Sequence, residues 1–202
     1  MLTERQLDAL TEVFREGAQD ASLACSRWVG RAAQIIVQRV EQLDMGDAVA
    51  VLGASEEPIS ACIMAIEGRL TGGMMLAFDD ASGWALTDLL LELPPGSCSA
   101  WGELERSAVL ETTNIVGCAY LNSLSRLLQR LGEPPELMPS PPQFTRDYAS
   151  AILQSVFLNQ VMSSDTIFLT ETRFHLDGTP ANWNLLFVPD ADSIPTLRRM
   201  LT

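Results

Sequence analysis

A shift of 99 residues lays one stretch of this chain over another. LDALTEVFREGAQDASLACSRWVG, starting at Leu7, falls on RSAVLETTNIVGCAYLNSLSRLLQ, starting at Arg106, with Ala9 on Ala108, Glu12 on Glu111, Ser26 on Ser125 and Arg27 on Arg126. A chain that repeats a long amphipathic segment at half its length must bury two like faces, and it does so most simply by packing the copies against each other or a shared sheet. The boundaries fall at about 1–96 and 97–202, so residues 1–202 are expected to form a single domain built from two repeats.

Each copy reads as a helix. In the second, Trp101 to Gly132, a turn of 100° per residue gathers Val109, Leu110, Thr113, Val116, Tyr120, Leu124, Leu127, Leu128 and Leu131 into an apolar stripe. The same wheel sets Ser107, Glu111 and Asn114 within about 60° of each other on another face. A hydroxyl, a carboxylate and a carboxamide are thus presented together from a rigid element. In the first copy Thr3-Glu-Arg-Gln matches a capping box and Gly30 a helix stop. Leu7, Leu10, Phe14, Ala18, Ala21, Cys25 and Trp28 are expected inward.

The remaining segments alternate. QIIVQRVEQL, AVAVLGA, SACIMAIEG and GGMMLAF read as strands and DDASGWALTDLLLEL as a helix that ends at Pro94-Pro95-Gly96. After the second long helix a proline-rich loop, GEPPELMPSPPQ, is read as a stiff connector. It leads to an apolar helical segment around Tyr148 to Met162, to the alternating strands DTIFLTETRFHL and NWNLLFVPD, and to a closing helix in ADSIPTLRRML. Helix, strands and helix, twice over, predict an α/β protein with pseudo-twofold symmetry.

Composition works mainly by exclusion. Net charge is −13, and such a surface repels phosphate backbones and anionic lipid, which argues against nucleic acid as a partner. No apolar run approaches the roughly 20 residues of a membrane span, and MLTERQLDAL carries early charges unlike a signal peptide, so no membrane insertion and a cytoplasmic location are expected. Cys25, Cys62, Cys98 and Cys118 are widely spaced, without a CxxC pair, and are expected to be reduced and buried. The single histidine, His175, has no ligand-type neighbour, and no metal site is expected. Walker, GxGxxG, HExxH and GxSxG patterns are absent from the sequence.

The pattern of Asp or Ser, three residues, Glu, two residues, Asn, complete in the second copy and matched up to its last position in the first, about a hundred residues apart in a chain of 202, resembles the CheC family of chemotaxis phosphatases, with its CheX and FliY relatives. GRLTGGMMLAF, from Gly68, and MPSPP, from Met138, extend the resemblance over nearly the whole chain. It implies an antiparallel-rich sheet with the two motif helices packed side by side. It also implies a phosphatase that hydrolyses the aspartyl phosphate of a phosphorylated CheY-like response regulator, in chemotaxis or related two-component signalling.

The chemistry suits those residues if the partner supplies the rest. A phosphorylated regulator carries its own acyl phosphate, Mg²⁺ and Lys, so this chain needs no bound cofactor and has mainly to hold a water in line with phosphorus. Asn114, with both donors and an acceptor, is the candidate for orienting that water, and Glu111 for pairing with the partner's Lys. Ser107 is the candidate for a partner hydrogen bond across the interface, or else simply faces solvent. The alternative function is a non-catalytic module that docks a response regulator or a CheD-type receptor deamidase.

The first copy departs from the pattern. Asp8 and Glu12 stand in place, but Arg15 replaces Asn, and a guanidinium has donors only. Glu12 and Arg15, three apart, are placed to form an intrahelical ion pair. The first site is therefore read as degenerate and inactive, with phosphate gripping by Arg15 as the other reading.

Overall fold

The computed structural model describes residues 1–53, 57–155, 166–176 and 179–202. The first helix, α1 (Glu4–Val29), opens on the expected capping box. Gln6 N–H donates to Thr3 Oγ1 at 3.3 Å, and Thr3 N–H to Gln6 Oε1 at 3.0 Å. It ends at Gly30, whose φ of 67° is the left-handed cap that glycine adopts without a Cβ penalty. Two short strands follow, β1 (Ala33–Val37) and β2 (Glu41–Leu43), then helix α2 (Met45–Gly53).

The helix α2 corrects a predicted strand, AVAVLGA. Asp44 Oδ1 accepts from Asp47 N–H at 2.9 Å and the Asp44 carbonyl from Ala48 N–H at 3.0 Å, so an aspartate cap starts a helix that outweighs the valines' β preference. Next come β3 (Ile59–Gly68), β4 (Gly72–Phe78) and α3 (Asp80–Leu90), and then the long α4 (Glu103–Arg130). The second half continues with β5 (Leu137–Pro139), β6 (Gln143–Asp147), helical residues 149–155 (α5), β7 (Ile167–Leu176), β8 (Thr179–Pro189), a short 3-10 turn, and α6 (Ile194–Met200). Residues 156–162 of the predicted second-half helix lie outside the described residues.

Among the described residues, every strand pairing of the eight-stranded sheet is antiparallel. The order is β1-β7-β8-β4-β3-β5, with β2 also on β7 and β6 also on β3. Exchanging β1–β4 for β5–β8 leaves this list unchanged and maps the central β4–β8 pair onto itself, which is the predicted pseudo-twofold symmetry expressed as topology. The central strands are covered on both faces, so β4 is buried throughout and β8 is buried without a break from Leu185 to Pro189. Alternation, expected along NWNLLFVPD, is lost there because Leu185 and Phe187 enter one core layer while Leu186 and Val188 enter the other.

The first layer lies between the sheet and the pair α1 and α4. Phe14 meets Tyr120 edge-on at 5.2 Å, and a Cβ at Gly17 would stand 2.9 Å from Tyr120 Cδ1 and 3.0 Å from its Cα, so glycine allows the helices their close approach. Farther along, Leu23, Ala24 and Arg27 of α1 share a groove with Asn114, Ile115 and Cys118 of α4. Higher numbers on α1 therefore meet lower numbers on α4, and the two helices run antiparallel. On the opposite face α2 and α5 cover the second layer with Ala48, Leu52, Ala149, Ile152 and Leu153.

Most of the predicted inward positions are buried, with two corrections. Trp28 is 41% exposed and Leu131 is 49% exposed, because each lies in or past the last turn of its helix, where the apolar stripe outruns the sheet beneath it. Among the cysteines, Cys25, Cys62 and Cys98 are buried and free, whereas Cys118 is half-buried on the flank of α4. Burial pushes the Cys25 and Cys62 thiols up to about 12, which removes them as nucleophiles near neutral pH.

Candidate functional site

The entry of α4 is fixed before its functional turns begin. Trp101 packs against Phe144, Phe78 and Trp84 at centroid distances of 5.0, 5.8 and 6.4 Å, and its indole N–H donates to Asp80 Oδ1 at 2.8 Å. Asp80 is further clamped by Arg146 at 2.6 Å. Burial pushes its carboxyl up, but the bonds from Arg146, Trp101 and Ser60 outweigh that and hold it below the usual carboxylate range. Upstream, buried Asp88 accepts from the N–H groups of Gly96, Ser97 and Cys98 at 2.6, 3.1 and 2.8 Å, which ties down the α3–α4 connection.

Ser107, Glu111 and Asn114 emerge from α4 beyond this anchor. Ser107 and Glu111 are exposed, and Asn114 is half-buried. The three line one open groove of about 500 Å³, whose far wall is Pro139, Ser140, Pro141 and Pro142. Glu111 has no hydrogen bond or ion pair among the described residues, so its carboxylate is free for an outside cation. Asn114 Oδ1 accepts from the Cys118 thiol at 3.7 Å. Asn114 and Cys118 also line a second groove of about 480 Å³ between α1 and α4, so the carboxamide stands on the ridge between two depressions.

The proline segment is more than the expected stiff connector. Leu137–Pro139 is an edge strand on β3, and Ser140 continues the attachment: its N–H donates to the Ala65 carbonyl and its hydroxyl accepts from Ala65 N–H, both at 2.9 Å. Proline is tolerated at such an edge, where a missing N–H costs little. The groove beside the triplet thus has a braced wall, which the composition of a proline-rich loop does not reveal.

In the first copy the carboxylates pair with cations of the same chain. Arg15 Nη1 lies 2.5 Å from Glu12 Oε1, the intrahelical pair expected from their spacing. Arg39 Nε donates to Asp8 Oδ1 at 3.1 Å, and the same guanidinium bonds Glu4. Arg39 lies in the β1–β2 connection, which the exchange of strands maps onto Ser140–Pro142. Where the second groove has a proline wall, the first has an arginine turned onto the helix. Sequence reasoning missed Arg39 and Cys118. The 99-residue shift carries Arg39 onto Met138, inside the proline segment, and that was the available signal.

Because α1 and α4 are antiparallel, the Asp8–Arg15 turns and the Ser107–Asn114 turns sit at opposite ends of the helix pair, roughly 20 Å apart at 1.5 Å per residue. They do not combine into one site. Among the described residues no three His, Cys, Asp or Glu side chains gather where they could hold a metal ion, and no helix is long and apolar enough to cross a membrane.

No protein-family model matches the chain. It is 24% identical over 202 residues, 97% of its length and 93% of the relative's, to the CheY-P phosphatase CheC of Bacillus subtilis (strain 168). In structure it is similar to FliY of Thermotoga maritima, with a TM-score of 0.77 and 19% identity over 100% of this chain and 98% of that one. It is also similar to the FliM middle domain of H. pylori, with a TM-score of 0.72 and 14% identity over 98% and 99% of the two chains. A doubled motif helix and a sheet whose pairings are unchanged by exchange of halves thus accompany a likeness in sequence to a CheC protein and a fold shared with FliY and the FliM middle domain.

Proposed function

We propose that this chain is a phosphatase for the aspartyl phosphate of a CheY-like response regulator. The observation that carries the reading is the open Glu111 carboxylate, one turn before Asn114, in a groove with a braced wall. Similarity along nearly the whole chain to a protein named CheY-P phosphatase supports the substrate class.

Glu111 pairs with the regulator's active-site Lys and sets the docking register, since a charge-assisted bond is strong and directional. Asn114 then reaches the acyl phosphate and holds a water in line with phosphorus. The water's oxygen bonds to phosphorus as the aspartyl oxygen leaves, which yields inorganic phosphate and a free carboxylate. Mg²⁺ and Lys on the regulator offset charge on the phosphoryl oxygens. Ser107, a turn earlier and exposed, donates to the regulator at the rim.

Phosphate release from the phosphorylated regulator with Mg²⁺ tests this. Asn114→Ala is expected to slow release by about 100-fold, on the scale of a lost positioning group. Normal release by that variant would overturn the catalytic assignment, and background release by the unaltered chain with regulator binding intact would make the chain a docking module.

A further inference from the structure

We propose that Cys118 is a positioning residue for this reaction: its thiol fixes which edge of the Asn114 carboxamide faces the groove walled by Pro139–Pro142. The inference rests on the phosphatase reading for its consequence, but the hydrogen bond behind it is a property of the free protein.

An asparagine on an open ridge can turn its amide either way, and the two orientations exchange donors for an acceptor. Asn114 stands on such a ridge, between the grooves on either side of α4. Its Oδ1 accepts from Cys118 Sγ at 3.7 Å, one helical turn on. This is not the usual local outlet on α4. Thr112, Thr113 and Ser123 all donate back to the backbone carbonyl four residues earlier, at 2.9, 2.8 and 3.3 Å, whereas Cys118 donates to the side chain at that spacing.

With Oδ1 held on the Cys118 side, planarity puts Nδ2 on the opposite edge of the amide. Two N–H donors are then offered away from Cys118, and one lone pair of Oδ1 is left for a water proton. The orientation requires that the sulfur keep its hydrogen. Burial and, next, the Glu111 carboxylate push the Cys118 thiol upward, so the donor persists at neutral pH. The same carboxylate that docks the regulator thus helps keep the thiol protonated.

The test combines steady-state release with the amide signals of Asn114. Cys118→Ala and Cys118→Val are expected to lower kcat by about three- to tenfold with KM within about twofold, the scale of a weak S–H donor. In nitrogen-correlated spectra of the free protein, the two Asn114 side-chain N–H signals should move toward each other in both variants. On an Asn114→Ala background, Cys118→Ala should change release no further. Unaltered kcat with unaltered Asn114 signals would overturn the proposal, as would an equal kcat loss on the Asn114→Ala background. If Asn114→Ala itself released phosphate normally, the phosphatase reading would fall, while the Asn114 signals would still decide whether the thiol orients the amide.

Discussion

Arg39 holds Asp8 through a 3.1 Å bond from its Nε, and Asp8 is the residue that stands in the first motif helix where Ser107 stands in the second. The first copy thus differs from the second by more than the absence of an asparagine. Its carboxylates at positions 4, 8 and 12 are engaged by guanidinium groups of the same chain.

Replacing Arg15 alone therefore will not restore a second site. On an Asn114→Ala background, Arg15→Asn is expected to leave phosphate release within about twofold of that background, because Arg39 still covers Asp8 and Glu4. A clear gain in the release assay would show that the Asn-to-Arg exchange was the whole defect.

Glu111 and Asn114 should separate binding from turnover. Titration of a regulator carrying a non-hydrolysable phosphoryl mimic is expected to show affinity weakened by about tenfold in Glu111→Ala, as for one lost interfacial ion pair, and changed less than about twofold in Asn114→Ala. Equal weakening in both would remove the division of roles.

Gly83 of α3 tests how the entry of α4 is anchored. A Cβ there would lie 2.6 Å from two ring atoms of Trp101 and 2.7 Å from the ring of Phe78. Gly83→Ala gains helix propensity, yet overpacking two aromatic rings should destabilise the protein by about 1–3 kcal/mol net, read from denaturant unfolding. Since Trp101 leads into α4, release should fall as well.

Asp88 links stability to pH. Burial pushes its carboxyl up, but the Cys98 thiol and the N–H groups of Cys98, Gly96 and Ser97 outweigh that, so its folded pKa lies below the ordinary value. Its contribution is accordingly present above the unfolded pKa of about 3.9 and is lost as pH falls through the lower folded value. Asp88→Ala orphans three N–H donors and should cost about 3 kcal/mol near neutral pH. Its unfolding curve should depend less on pH in the acid range than that of the unaltered chain.

Much of this was legible in the sequence because it is written in local terms. Capping at Thr3, the stop at Gly30 and the spacing of Ser107, Glu111 and Asn114 depend on residues within a few turns of one another. Misread elements depended on what lies across space. AVAVLGA became a helix because Asp44 caps it, and NWNLLFVPD lost its alternation because β8 lies at the sheet's centre. Pro139–Pro142 became a site wall through pairing with β3, some 75 residues away in the chain. Arg39 and Cys118 carry no motif. Their meaning comes from which side chain each happens to touch.

The antiparallel course of α1 and α4 sets the valency of the molecule. A doubled motif on parallel helices would crowd both copies onto one end, where a single visitor could block the other. Here the copies lie at opposite ends of the helix pair, and with the carboxylates of the first paired to its own arginines, the proposed function gives the chain one regulator site. A regulator titration should saturate at about one equivalent per chain, and restoring a site in the first copy would add a second equivalent without competing for the first.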